Sequence, residues 1–533
     1  MKKWFPRVLL ALILIFAAFL RLYRIEDYMT FLGDEGRDVL VVYNILHGHL
    51  TLLGPTSSVG GFFLGPIYYY FMAPFLLLFN YNTVGPAVMV ALFGIFTVWF
   101  VYKIGSEFFN KATGLVAAFL FSISPIVIAY SRSSWNPNLM PIFTLFTLYS
   151  VYKGLQANKN RYFVLAGILL GILMQLHYLS VFVAAIIVVY VAVIHIILNN
   201  QKKNSIFLKT LQTVVKQIGL GIAGFVIGWS PFLAFEVRHG FPNIISITKF
   251  VFSSPDVSAT GNYFSIIQDV FFRLFGRLAT DFPPPEQVSL QAHTNIAIWY
   301  GLTFVLGLFS AIVFIWQFAK IWKEKNTKFL QYTLIAVWFG LGVLLFGFYK
   351  KNIYDYYFAF LFPAPFLLIA NFIVFLWKQK IFTKIFAIII FITLAYMNLR
   401  AMPFFSSPNK QLAQMREIAS FVLSKTGDQP YNFALVTGGN SDFAYRYFFT
   451  VWGHPPVTIE NTAIDPQRKS VTNQLLIVCE SEPCAPLGNS LWEIAGFGRA
   501  DIAGKWNVSV VTVYKLIHYK EHAIPKTTAA IQK

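Results

Sequence analysis

Phe62-Phe63-Leu64-Gly65-Pro66-Ile67-Tyr68-Tyr69-Tyr70-Phe71-Met72-Ala73-Pro74-Phe75-Leu76-Leu77-Leu78-Phe79 is the stretch on which the topology turns. It is apolar throughout and near the ~20 residues that a helix needs to cross ~30 Å of hydrocarbon. Pro66 and Pro74 interrupt it where a regular helix would lose hydrogen bonds. Eleven other apolar stretches flank it, at approximately 6–24, 84–104, 113–130, 138–153, 162–179, 181–198, 213–235, 295–319, 329–348, 354–377 and 381–399. If 62–79 crosses the membrane, every later loop changes side. If it does not, eleven transmembrane helices remain.

Charge decides between the two. The first 400 residues hold 30 Lys and Arg against 13 Asp and Glu. With 62–79 left out, 19 of those basic residues face the cytoplasm and 11 the other side. With 62–79 counted in, the ratio reverses. Cytoplasmic loops carry the Lys/Arg excess, so the first topology is expected, with 62–79 re-entrant or interfacial and buried against other helices. The tally could run to twelve or thirteen crossings. Eleven of the 13 acids then lie outside the cytoplasm, as do a first loop at 26–83, a second at 236–293 and everything after Leu399.

Composition agrees. Of 533 residues, 57% are hydrophobic and 12% charged, about half the charged share of a soluble chain. The net charge of +19 is concentrated at helix ends, which argues against nucleic-acid binding. Val8–Leu20, after Lys2, Lys3 and Arg7, is followed by Arg21-Leu22-Tyr23-Arg24 with no small-residue cleavage site. It reads as an uncleaved first helix.

The fold class is therefore a polytopic α-helical membrane protein with a soluble C-terminal α/β part. Residues 1–400 form the membrane domain and 401–533 the extracytoplasmic one. Within the latter, Gln411–Lys425 has helical periodicity, and Phe433–Thr437, Asn473–Glu480 and Val508–Leu516 read as strands. The tail Lys526–Lys533 reads as frayed. The only cysteines, Cys479 and Cys484, enclose a four-residue turn and are either a small-loop disulfide or two thiols. They make no zinc cluster, and His47-Gly48-His49 lacks a carboxylate at ligand spacing.

Four patterns could carry chemistry. Gly33-Asp34-Glu35-Gly36-Arg37-Asp38, with Glu26 and Asp27, puts five acids within thirteen residues. A partly desolvated carboxylate there can serve as a general base; the alternative is a solvated helix start with Asp34 as N-cap and Glu35 in the first turn. Tyr130-Ser131-Arg132-Ser133-Ser134-Trp135-Asn136 pairs Arg132 either with a phosphate or with nothing but the interface, as a snorkelling arginine. Gln175-Leu176-His177-Tyr178 ends a helix with groups expensive to bury in a membrane; they are functional or interhelical glue. Lys350 and Lys351, in Tyr349-Lys350-Lys351-Asn352-Ile353-Tyr354-Asp355-Tyr356-Tyr357, violate the charge rule, and a phosphate head group would explain them; contact with anionic lipid heads is the plainer reading.

In order and spacing these residues resemble the GT-C-fold glycosyltransferases, and among them glycosyltransferase family 39 and its relatives, the protein O-mannosyltransferases and lipid A aminoarabinose transferases. The resemblance rests on Asp34-Glu35-x-Arg37 after one long helix, Leu64-Gly65-Pro66, Phe108-Phe109-Asn110-Lys111-Ala112-Thr113-Gly114, Ser124-Pro125 before Tyr130-Ser131-Arg132, and the Lys-Asn-x-Tyr-x-Tyr-Tyr stretch before Pro363. It covers most of residues 1–400. It implies a hexosyl- or pentosyltransferase of the cell membrane, working on the extracytoplasmic face with a polyprenyl-phosphate sugar donor and a glycan, lipid or protein acceptor.

By the same resemblance Asp34 is the catalytic carboxylate, with Glu35 its nearest rival. Glu35 and Arg37 would orient Asp34 or touch the acceptor, and Arg132, His177, Tyr178, Lys350, Lys351 and Tyr356 would bind donor. No cofactor is firmly implied. A divalent metal is not favoured, because Ser131–Asn138 lacks the second acid of oligosaccharyltransferases. Leu64-Gly65 stands where aminoarabinose transferases tend to be basic, and 236–293 is too short for the inserted domain of eukaryotic O-mannosyltransferases. The competing function is a transporter or flippase of lipid-linked sugars; no internal repeat supports it.

Overall fold

A computed structural model of the chain describes residues 4–57, 60–201, 207–252, 262–290, 293–324, 328–349, 351–481 and 483–519. Lys350 and the tail 526–533 lie outside them. The chain divides into two compact units. One holds Met1–Met29 and Val42–Pro408, the other Thr30–Val41 and Asn409–Lys533. The acidic segment of the first loop thus groups with the C-terminal residues rather than with the helices that flank it in sequence.

The larger unit is helical. Among the described residues, seven helices are long and apolar enough to cross a membrane: Phe5–Leu22, Val84–Phe108, Ser180–Ile197, Thr210–Gly228, Thr294–Lys323, Phe329–Phe346 and Ile381–Arg400. An eighth crossing results if Asp355–Leu361 and Pro363–Trp377, bent by 60°, count as one. This is an integral membrane protein. Several apolar stretches fold less regularly than their composition suggests. The stretch 113–130 is broken at Ser124, before Pro125, into Lys111–Ile123 and Pro125–Tyr130. The stretch 354–377 opens as a 3-10 helix, because Pro363 and Pro365 can sit only in the first turn of the α-helix that follows.

Within 62–79 the helix is Ile67–Leu78, with Pro74 inside it. Twelve residues give about 18 Å at ~1.5 Å each. Tyr68, Met72 and Leu76, four residues apart, are fully buried, and the Tyr68 hydroxyl lies 2.8 Å from Ser134 Oγ.

Small residues bring one helix pair unusually close. A Cβ on Gly167 would collide with the Gly221 carbonyl, one on Gly224 with that of Val164, and one on Gly228 with that of Ile168. Helices Arg161–Leu176 and Phe207–Gly228 therefore meet backbone to backbone, the small-xxx-small packing of membrane helices. Polar clamps supply the rest. Glu107 accepts from Lys153 Nζ at 2.5 Å and Tyr149 Oη at 2.7 Å. Arg277 Nε pairs with Asp355 Oδ2 at 2.8 Å, and Arg273 bridges Asp269 at 2.8 Å and Glu286 at 2.9 Å.

The smaller unit carries a four-stranded sheet of β1 (Asn432–Val436), β2 (Gln474–Cys479), β3 (Ala500–Val508) and β4 (Val511–His518), in the order β1-β2-β4-β3. β1 and β2 are parallel; the other pairs are antiparallel. β2 is buried at all six positions, as a strand covered on both faces must be. Leu475, Ile477 and Cys479 face Ile494 and Phe497. On the other face Phe433 packs on Tyr445 and Phe449 of helix Phe443–Val451. The strand expected over Val508–Leu516 starts instead at Val511, because Ser509 and Val510 turn the β3–β4 hairpin. Cys479 and Cys484 form a disulfide, with Cα atoms 6.0 Å apart.

Candidate active site

The acidic motif opens the helix Gly33–Leu46. The Gly36 N–H donates to the Leu32 carbonyl at 2.8 Å, so Leu32, not Asp34, stands at the N-cap. Glu35 reaches back to accept from the Leu32 N–H at 3.1 Å, one half of a capping box. Its side chain is buried. Burial pushes its pKa from 4.5 up to about 7, with Asp38 and Asp34 adding to the rise against the backbone hydrogen bonds.

Asp34 is the acid left facing outward, its side chain 56% exposed. Arg37, one turn on, ties it to the rest of the motif. Nη1 meets Asp34 Oδ1 at 3.0 Å, while Nε and Nη2 grip the fully buried Asp38 Oδ1 at 3.0 and 2.8 Å. The motif thus divides into a buried cap, a buried anchor, a bridging guanidinium and one presented carboxylate paired with that guanidinium.

Residues far along the chain hold this helix start. The Phe31 N–H donates to Gln411 Oε1 at 3.1 Å and the Gly33 N–H to Asn440 Oδ1 at 2.9 Å. The Phe31 ring packs edge-on against Tyr447 and Phe448. A Cβ on Gly36 would strike the backbone of Ala444, and one on Gly33 the Ser441 side chain, so both glycines are set by close approach. Gln411 and Asn440 are absent from the sequence-based candidates. The run Gly438-Gly439-Asn440-Ser441-Asp442 ahead of a helix was the available signal.

The remaining candidates lie in the larger unit. His177 leaves helix Arg161–Leu176 in an extended conformation, and its Nδ1 accepts from the Leu179 N–H at 3.2 Å. Its ring stacks on Tyr178 at 4.7 Å and faces Tyr357 at 5.4 Å and Tyr356 at 5.8 Å. The Tyr178 and Tyr349 hydroxyls meet at 2.7 Å, and Trp135 closes on Tyr356 at 4.5 Å. Lys351 Nζ lies 3.8 Å from the centroid of the Phe250 ring, itself 6.2 Å from Tyr178. The structure therefore brings His177, Tyr178, Tyr356 and Lys351 into one aromatic neighbourhood.

Arg132 is placed apart from that group. It is 1% exposed and donates to the carbonyls of Leu20 at 2.8 Å, Tyr23 at 2.7 Å and Arg24 at 3.2 Å. It thus caps the end of the first helix, where orphan carbonyls attract a cation. Gln175 acts as glue: it accepts from the Ile67 N–H at 3.2 Å and donates to the Gly228 carbonyl at 2.6 Å.

The acidic motif does not fit a metal site. Glu35 faces its own cap and Arg37 stands between Asp34 and Asp38; among the described residues no three His, Cys, Asp or Glu side chains converge to hold an ion.

Residues 64–220 match the family model described as dolichyl-phosphate-mannose-protein mannosyltransferase. ArnT from Cupriavidus metallidurans, solved bound to undecaprenyl phosphate, superposes with a TM-score of 0.58 at 12% identity, over 97% of this chain and 98% of that one. The chain has the GT-C fold. The oligosaccharyltransferase AglB from Archaeoglobus fulgidus, solved with an inhibitory peptide and a dolichol phosphate, gives 0.54 at 15% identity over 89% of this chain and 69% of that one. The apo form of the oligosaccharyltransferase from that organism gives 0.53 at 16%, over 85% of this chain; this chain spans 64% of its length. No curated protein matches the sequence.

Proposed function

We propose that this protein transfers a sugar from a polyprenyl-phosphate-linked donor to an acceptor hydroxyl on the extracytoplasmic face of the membrane, with Asp34 as the base. The observation that carries the reading is the presentation of a single exposed carboxylate, ion-paired to Arg37, at the start of an ordered helix in a GT-C chain. Structures of the same fold hold undecaprenyl phosphate and dolichol phosphate, which supports the lipid class of the donor.

In the reaction Asp34 takes the proton of the acceptor hydroxyl. The oxygen attacks the anomeric carbon as the bond from that carbon to the phosphate oxygen breaks, and polyprenyl phosphate leaves with the electron pair. One displacement inverts the anomeric centre. Lys351 is the described cation assigned to the departing phosphate, and Lys350 would share that work. His177, Tyr178 and Tyr356 offer aromatic faces and hydroxyls to the donor sugar. Arg37 orients Asp34, and Glu35, its pKa raised by burial, shapes the helix start. Residues 1–400 are the membrane domain of this enzyme, and 401–533 its extracytoplasmic α/β domain.

The test is to offer the purified protein a panel of polyprenyl-phosphate sugars and to score release of polyprenyl phosphate and the anomeric configuration of the product. Inverted product and loss of turnover in Asp34→Asn support the reading. Movement of intact donor across the bilayer without cleavage would replace it with transport.

A further inference from the structure

Directly after the disulfide half Cys479 comes a carboxylate to which the active-site reading gives no task. Glu480 follows the last residue of β2, and its own N–H donates to the Val436 carbonyl at the end of β1 at 2.9 Å. Its two oxygens accept from Asn440 Nδ2 at 3.2 and 3.0 Å, and Oε1 also accepts from the Tyr445 hydroxyl at 2.7 Å. Cys479–Cys484 staples the turn that Glu480 opens.

This arrangement fixes more than itself. Both Glu480 oxygens accept from the Asn440 NH2, which turns the carbonyl oxygen of that amide the other way. That oxygen accepts the Gly33 N–H at 2.9 Å. Gly33 opens the helix, and its N–H is one of the donors a helix start leaves without an intrahelical partner. The next residue is Asp34. All these groups belong to one compact unit.

We infer that Glu480, Asn440 and Tyr445 are positioning residues for Asp34, and that the Cys479–Cys484 disulfide holds their chain of hydrogen bonds in register. The inference rests on Asp34 acting as the base. The C-terminal residues then serve the chemistry without touching substrate: Glu480 orients Asn440, Asn440 fixes Gly33, and Gly33 sets the direction in which the Asp34 carboxylate leaves the helix. Tyr445 fixes Glu480 from the adjacent helix, and its burial beside that carboxylate drives the phenol pKa upward.

The experiment uses the full chain in lipid nanodiscs with Glu480→Gln, Asn440→Ala, their double variant, the Cys479→Ser/Cys484→Ser variant, and Glu417→Gln as an exposed control. Hydrogen exchange of the segment 30–38 is read beside kcat and the donor KM. Glutamine at 480 can donate as well as accept, so it no longer dictates the Asn440 orientation. Exchange at Gly33 should quicken in all but the control, with kcat down roughly ten- to hundredfold and donor KM unchanged, since about 1 Å of misplacement has that effect. The double variant should be no worse than Asn440→Ala, because both changes cut one chain.

Unchanged exchange in both single variants overturns the inference whatever the activity. Quickened exchange with wild-type kcat overturns it too, since the contact would then position nothing. Activity surviving in Asp34→Asn overturns the base assignment instead, and leaves the exchange result to report on the contact alone.

Discussion

Glu35→Gln separates the two acids that share the motif. Glu35 is buried, accepts the Leu32 N–H at 3.1 Å, and has its pKa raised from 4.5 to about 7. At ~1.36 kcal/mol per pH unit, ionising it in place costs about 3 kcal/mol relative to the unfolded segment. An acid that holds its proton more tightly when folded stabilises the fold fully below its unfolded value, and that stability fades as pH rises through the folded one. The window therefore runs from about 4.5 to about 7. Glutamine keeps an acceptor for Leu32 and has nothing to ionise. The other charges facing the site, Asp34, Asp38 and Arg37, are common to both proteins and cancel in the comparison. Local opening of the segment 30–40 should match in the two proteins near pH 4. Near pH 8 the variant should be protected by up to ~3 kcal/mol, on the order of a hundredfold in the opening constant. Hydrogen exchange corrected for intrinsic rates measures it. Parallel profiles at both pH values would refute the claim that Glu35 is a buried, proton-holding cap. The same variant, assayed at pH 8, should retain turnover; an inactive Glu35→Gln beside an active Asp34→Asn would move the base to Glu35.

Three further changes test neighbouring parts of the account. Arg37→Ala removes the guanidinium shared by Asp34 and the buried Asp38, so kcat should fall about tenfold or more in a turnover assay; Arg37→Lys should recover little of it, since a lysine cannot fork between two carboxylates. Gly36→Ala drives a methyl into the Ala444 backbone and should cost ~1–3 kcal/mol, read as faster exchange over 30–40. Asp355→Ala strands Arg277, whose side chain is only 14% exposed; a loss of ~3 kcal/mol is expected in thermal unfolding, mostly regained in the Asp355→Leu/Arg277→Leu pair.

The helical membrane class was legible because hydropathy over ~20 residues is a one-dimensional signal. The breaks within it were less so. Ser124 and Phe362 interrupt apolar stretches whose hydropathy does not change, and only the prolines beside them mark the place. In the sheet, β2 stood out as a continuous apolar run. β3, an edge strand with Gly504 at a bulge and alternate polar residues, carried almost no signal. The acidic motif could be read as a cluster, but its division of labour could not. Whether Glu35 turns inward to Leu32, or Arg37 bridges Asp34 and Asp38, depends on side-chain directions around one helical turn. The partners Gln411, Asn440 and Glu480 stand some 370 to 450 residues away, beyond the reach of spacing. Arg132 shows the converse case. It reads as a ligand group by type, and the fold spends it on three carbonyls of the first helix end.

Asp34→Asn, reconstituted in bilayers and supplied with the polyprenyl-phosphate sugar that the wild-type protein cleaves, is the most direct test of the central claim. The account predicts that transfer falls by ~10³-fold or more, while donor affinity and the exchange pattern of the helix 33–46 stay as in the wild type. Transfer at a wild-type rate by a protein with that helix intact would contradict it.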